Sequence, residues 1–346
     1  MFPIILIYNH RTEIKEVHPK LNIRYFDACI VQEGIHLLVE SFIAYGIKRF
    51  YPHVSPPQHF PIIYCTKSRY DKRRTGGKIM ERIYYGDHPE QFGDLRLPEG
   101  EGPFPLAIVI HGGFWRMPFG LDIIQDAAED LTREGIATWN IEYRRVGHAG
   151  GGWPGTFNDV GRAADYVREL AAIHPIDVRR VFTIGHSAGG QLALWLAARP
   201  FLPATSELSH FAEPLSMYGA VSLAGVLDMH LMHEIHDYRN KATDAKEPMD
   251  PVADLLGGSP DEFPERYTET SPFDLIPIDV PQILVHGALD VNVPVGISAQ
   301  YHQAAKIGYR SIRYLELPDA EHFMLTDIQT DAWSLIKEEI HEMLSL

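Results

Sequence analysis

The stretch that most constrains this chain is Gly185-His186-Ser187-Ala188-Gly189, a G-x-S-x-G pentapeptide set between two runs of different character. Before it, Val181-Phe182-Thr183-Ile184 is short, apolar and β-branched, as a buried strand requires. After it, Gly190 to Arg199 is rich in helix formers and stops before Pro200. A strand, a one-residue corner and a helix therefore meet at Ser187. Such a corner needs glycine on both sides, because only residues without a Cβ let strand and helix approach while the serine sits on a sharp turn. The hydroxyl is then held at a helix N-terminus, where free N–H groups and a partial positive charge favour a developing oxyanion.

That corner needs a fold to carry it, and from Lys78 onward the chain supplies alternating strands and helices. Strands are expected at Ile79–Tyr85, Phe92–Leu97, Leu106–Ile110, Ala137–Tyr143, Val181–Ile184, Ala220–Leu223, Gln282–Val285 and Ile312–Leu315. Helices are expected over Asp122–Glu134, Phe157–Ala172, the run after Ser187, Val295–Ile307 and Asp331–Leu344. Short apolar strands alternating with helices predict an α/β fold: a mostly parallel, eight-stranded sheet covered by helices on both faces. Ligand sites in such sheets lie outside the carboxyl ends of the strands. His111, Ser187, Ala224, His286 and Leu317 all follow such ends.

A serine hydroxyl needs a base, and the base needs an orienting carboxylate. On a strand–turn–helix serine the chain order should be serine, acid, histidine. Asp290 lies in the loop that follows the strand ending at Val285, and His322 follows the last strand. Asp290 is the expected acid, with Asp228 and Asp319 as alternatives, and His322 the expected base. His111-Gly112-Gly113-Phe114-Trp115 follows its own strand, and glycine there lets backbone N–H groups face a substrate closely. The N–H groups of Gly113, Phe114 and Ala188 are the expected oxyanion donors. Trp115, Trp153 and Phe323 flank these loops and are expected either to line a substrate pocket or to pack in the core.

These motifs carry a resemblance. His111-Gly112-Gly113-Phe114-Trp115 together with Gly185–Gly190 resembles the α/β-hydrolase superfamily, and the H-G-G-x-W pattern resembles its kynurenine formamidase and feruloyl-esterase-like small-esterase branch. Gln91–Pro98, Tyr143-Arg144-Arg145, Leu256-Gly257-Gly258 and Thr270-Ser271-Pro272 fit that branch too. Phe114 stands where hormone-sensitive-lipase-like esterases carry a third glycine, which argues against that branch. The resemblance covers about residues 78–346 and implies a Ser-His-Asp hydrolase acting on a small-molecule acyl substrate without a cofactor. A carboxylic ester is the expected substrate and a formamide such as N-formylkynurenine the alternative. A peptidase fits less well, since 77 residues cannot build a propeller in front of the hydrolase fold. A catalytically dead binding module fits poorly with a full set of candidates in order.

Residues 228–278 are an insertion between two strands, rich in Pro, Asp, Glu and His, and expected to shape a pocket like a cap. Within it His230, His233 and His236 recur every third residue, with Glu234 among them. This reads as a solvated or pocket-lining cluster rather than a metal site, because the expected chemistry needs no metal.

Residues 1–77 stand apart as an N-terminal appendage of unclear structure. They hold 11 basic and 6 acidic residues, against 20 and 40 in the remainder. A short helix is expected near Leu37–Ala44, and Asp71–Gly77 is expected as a charged linker. The overall charge of −15 disfavours nucleic acid as a partner. The only cysteines, Cys29 and Cys65, leave the main body without a disulfide or a thiol nucleophile. Phe2–Tyr8 is apolar but lacks the flanks of a signal peptide, and no run is long enough to span a bilayer. A cytoplasmic protein is expected, with its oligomeric state left open.

Overall fold

The computed structural model describes residues 7–9, 13–15, 70–75, 78–209, 213–307 and 311–345. The chain divides into two units, Met1–Ser68 and Arg69–Leu346. In the first, β1 (Ile7–Asn9) pairs antiparallel with β2 (Glu13–Lys15). The helix expected near residues 37–44 and both cysteines lie outside the described residues.

The second unit is built on one sheet. Its strands are β3 (Tyr70–Thr75), β4 (Lys78–Tyr84), β5 (Phe92–Arg96), β6 (Phe104–Ile110), β7 (Ala137–Ile141), β8 (Ile176–His186), β9 (Gly219–Leu223), β10 (Gln282–Gly287) and β11 (Ile312–Leu317). The spatial order is β11-β10-β9-β8-β6-β7-β5-β4-β3. From β7 through β6 to β11 all neighbours run parallel, while β5, β4 and β3 join antiparallel at the other edge. Eight of these are the strands expected from the sequence. The ninth, β3, corrects the linker expected at residues 71–77: Tyr70–Thr75 pairs with β4 from Ile83 back to Lys78. Among the described strands β3 stands at the sheet edge, and its charged sequence suits that place because charge discourages further pairing.

The helices are α1 (Gln125–Arg133), α2 (Gly155–Asp165), α3 (Val167–Ile173), α4 (Ala188–Ala198), α5 (Met229–Ala242), α6 (Pro251–Leu256), α7 (Pro264–Thr270), α8 (Gly296–Ala305) and α9 (Asp331–Ser345). The single helix expected over 157–172 is two helices. Trp139 Nε1 donates to the Ala163 carbonyl, the acceptor that a continuous helix gives to Val167 N–H, and the break falls at Tyr166.

Alternation along β6 explains why the sheet is covered twice. Leu106, Ile108 and Ile110 join one apolar cluster, with α2, α4 and α8 supplying Phe157, Val160, Leu192 and Tyr301. Ala107 and Val109 join the opposite cluster, with α1 and α9 supplying Leu131, Trp333, Ile336 and Ile340. All eleven residues of α4 are buried, so the helix after Ser187 is fixed on every side. Burying a side chain such as Leu192 or Leu196 stabilises by about 1.5–3 kcal/mol each, which anchors the turn at the head of the helix. The segment 228–278 carries α5, α6 and α7. Among the described residues, no helix is long and apolar enough to cross a membrane.

Candidate active site

The loops after β6, β8, β10 and β11 bring the candidate residues to the carboxyl edge of the parallel strands. At the end of β8, Ser187 holds φ 57° and ψ −121°, a conformation that L-residues rarely adopt. Its N–H donates to Leu223 O on β9 at 2.8 Å, and its carbonyl accepts from Gly190 N–H at 2.9 Å. Strand pairing on one side and the first turn of α4 on the other therefore hold the strained residue. Glycine is required here: a Cβ on Gly185 or on Gly189 would run into the backbone of Gly189 or of Ile110 respectively.

His322 Nδ1 lies 2.5 Å from Asp290 Oδ2, and both side chains are buried. The other carboxylate oxygen accepts from the N–H groups of Asn292 and Val293 at 2.8 and 2.9 Å. His286 Nε2 stands 3.2 Å from Asp290 Oδ2 and 2.9 Å from Val293 O, so its N–H is shared between them, while Nδ1 meets Ser298 Oγ at 2.7 Å. Burial by itself would raise the Asp290 carboxyl. Hydrogen bonds from His286 and His322, the charge of His322 and the Val293 N–H outweigh it and hold the group well below the usual carboxylate range. Asp228, an alternative acid in sequence, is used elsewhere: it caps α5 by accepting from Leu231 N–H at 2.9 Å. Asp319, the other, is exposed.

His186 connects this pair to the serine turn. Its Nε2–H donates to the His322 carbonyl at 2.9 Å, and its ring lies 4.4 Å from the His322 ring. Burial, reinforced by the charge of His322, pushes His186 down to about 3, so it serves as a neutral donor that fixes the backbone of the candidate base.

The loop after β6 is built on different physics. Gly113, Phe114 and Trp115 hold φ of +97°, +50° and +54° in succession. Phe114 and Trp115 each cost about 1–3 kcal/mol in that region. Against this, Trp115 is fully buried, and removing about 150–250 Å² of indole from water returns about 4–6 kcal/mol. Its Nε1–H donates to Gln191 Oε1 at 3.1 Å, and Gln191 Nε2–H donates to Thr270 O at 2.7 Å. Trp115 thus takes the second of its two expected roles, a strut beneath the loop rather than a pocket wall. Gly112 lies close to the serine turn: a Cβ there would be 2.7 Å from His186 O and 3.0 Å from Ser187 Cβ.

Beneath this loop His111 faces acceptors with both ring nitrogens, Gly112 O at 2.8 Å and Glu142 Oε1 at 2.9 Å, and stacks on Tyr143 at 4.4 Å. Glu142 also accepts from the N–H groups of Leu121 and Tyr143 at 3.0 Å each. Burial would raise Glu142, but His111, Arg145 and the Tyr143 N–H lower it overall. The residues that sequence reasoning missed are of this kind. Glu142 follows a strand outside any motif, while His186 lies inside the serine pentapeptide and His286 at a strand end without either showing a supporting role. Gln191 alone left a trace, as a polar residue in an otherwise apolar helix.

Of the remaining candidates, Phe323 is 63% exposed and stands edge-on to His322 at 5.1 Å. Trp153 packs on Phe157 at 6.0 Å, with Arg266 over its ring at 5.4 Å. The three insertion histidines diverge. His230 and His233 lie 3.5 and 2.5 Å from Asp274 and Asp250 and pack on Tyr267, whereas His236 packs edge-on against Phe114. Among the described residues, no group of three His, Cys, Asp or Glu side chains is arranged to hold a metal ion.

Comparison with known proteins gives the same architecture. EstD, an esterase of Thermotoga maritima, is 22% identical over 244 residues, or 68% of this chain. The chain spans 58% of the length of that relative. A truncated carbohydrate esterase from gut microbiota superposes with a TM-score of 0.63 at 21% identity, covering 77% of this chain and 95% of that one. The esterase Est2 of Thermogutta terrifontis superposes with a TM-score of 0.61 at 19% identity, covering 77% and 91%. These likenesses establish an α/β-hydrolase fold. The BD-FAE family model matches residues 94–305, more than half of the chain and the span that carries Gly112, Ser187 and Asp290, and the protein belongs to that family.

Proposed function

We propose that this protein is a serine hydrolase that cleaves small carboxylic esters through an acyl-enzyme. The observation that carries the reading is the 2.5 Å contact between His322 Nδ1 and Asp290, at the same sheet edge as the strained Ser187 turn. The names of the relatives, esterases in each case, support it.

In this mechanism Ser187 Oγ attacks the ester carbonyl carbon as His322 Nε2 takes its proton. Asp290 keeps the remaining proton on Nδ1 and stabilises the imidazolium that forms. The N–H groups of Gly113, Phe114 and Ala188 hold the oxyanion, on a loop and a helix N-terminus set before the substrate arrives. His322 then protonates the leaving alcohol, and the same steps with water release the acid. The folded unit beginning at Arg69 carries all of these groups, so we assign the activity to it and treat residues 1–68 as dispensable for the chemistry. Trp153 and Phe323 are the candidate walls for the substrate's side groups.

The test uses short p-nitrophenyl esters and N-formylkynurenine in parallel, with a fluorophosphonate probe for Ser187. Ester turnover, labelling at Ser187 and loss of both in Ser187→Ala with an unchanged Tm are expected, and a chain starting at Arg69 should behave as the full chain does. Turnover of the formamide alone would move the substrate class. Undiminished ester hydrolysis by Ser187→Ala would end the mechanism.

A further inference from the structure

Among the described residues, His236 is the insertion histidine that forms no ion pair. It lies on α5, is only 2% exposed, and its Nε2 has no hydrogen-bond partner among the described residues. Burial lowers its pKa, which favours the neutral ring. A buried nitrogen without a partner is costly, and an apolar side chain of similar size would avoid that cost.

What the ring does touch is Phe114. The two ring centroids are 5.6 Å apart at 79°, the edge-to-face arrangement that aromatic pairs prefer. Phe114 has φ +50°, and its main chain lies between Gly113 and the buried Trp115 in the loop that packs on the serine turn. Trp115 pins one end of the strained run through Gln191. The Phe114 ring meets Trp115 of its own loop at 6.4 Å, and α5 supplies the nearer ring, His236 at 5.6 Å.

We propose that His236 is a positioning residue for the oxyanion loop. The insertion helix fixes the Phe114 ring through an edge contact, and that contact holds the backbone N–H of Phe114 at its working angle. The inference rests on the reading above, in which the Phe114 N–H is an oxyanion donor. It also gives the insertion a part in the rate of the reaction and not only in shaping a pocket.

The experiment is a double-mutant cycle in the full chain, read with a short p-nitrophenyl ester. His236→Leu removes the planar edge and should lower kcat by roughly 10- to 100-fold, since small misplacements of oxyanion donors cost this much. KM should change little, and Tm should stay level or rise because the unpartnered nitrogen is gone. His236→Phe keeps a planar edge and should recover most of kcat. In combination with Phe114→Ala, His236→Leu should add almost nothing, because both changes break the same contact. Full kcat in His236→Leu, additive losses in the cycle, or a Tm that falls in step with kcat would each overturn the inference. If the wild-type chain leaves the ester intact and Ser187 unlabelled, the ester reading falls and takes this inference with it. If the wild type is active and Ser187→Ala is not, the His236 results judge the inference alone.

Discussion

The two halves of the site are held in place by different forces. On the acid–base side, Asp290 takes contacts from His322, His286 and two backbone N–H groups, and His186 pins the His322 carbonyl. On the proposed oxyanion side, Gly113–Trp115 is a strained run held mainly by close packing, with Trp115 buried below and tied to Gln191, Gly112 against the serine turn and Phe114 against His236. Hydrogen bonds fix direction and charge; packing fixes position. Substitutions on the first side should therefore show themselves through protonation, and those on the second through displacement.

The largest effect is expected from Asp290→Asn. The amide keeps the shape but stabilises the wrong tautomer of His322, and kcat should fall by about 10⁴-fold. A loss below tenfold would show that the carboxylate is not the orienting group. Next comes Gly112→Ala. Its Cβ would sit 2.7 Å from His186 O, so the loop must back away from Ser187. A drop in kcat of about 10²-fold with an unshifted pH profile is expected. A shifted pH optimum would break the proposed separation between the two halves.

The smallest effect concerns stability rather than rate. An unfolded histidine takes up a proton near pH 6.5, whereas the buried His186 refuses one until about pH 3. The unfolded state binds more protons throughout that window, so stability rises with pH across it and is lost as pH falls from 6.5 towards 3. His186→Gln, which can still donate to the His322 carbonyl, should flatten the fall of Tm between pH 6.5 and 3. An identical slope in the variant would assign the acid lability to other groups.

Much of this was legible in the chain itself, and the failures share a cause. Of the eight strands from residue 78 onward, β6, β9, β10 and the end of β8 announce themselves as short apolar runs, whereas β4, β5 and β11 mix apolar and charged residues. The break at Tyr166 was illegible, because the hydrogen bond that marks it comes from Trp139, 24 residues before Ala163. β3 reads as a linker because its charges suit an edge strand and a loop equally well. The insertion histidines look alike in sequence, yet two of them lie against Asp274 and Asp250 and the third meets Phe114.

The sequence by itself determined the fold class, the serine turn and the order in which an acid and a histidine follow it. Periodicity and glycine placement are properties of neighbouring residues, and a single chain displays them. Only the tertiary structure decided that Asp290 rather than Asp228 meets His322, that Trp115 is a strut, and that a neutral His186 and the Glu142–His111 pair support the site. Those are contacts between strand ends far apart in the chain, and closing such distances is the work of the whole sheet and its two cores.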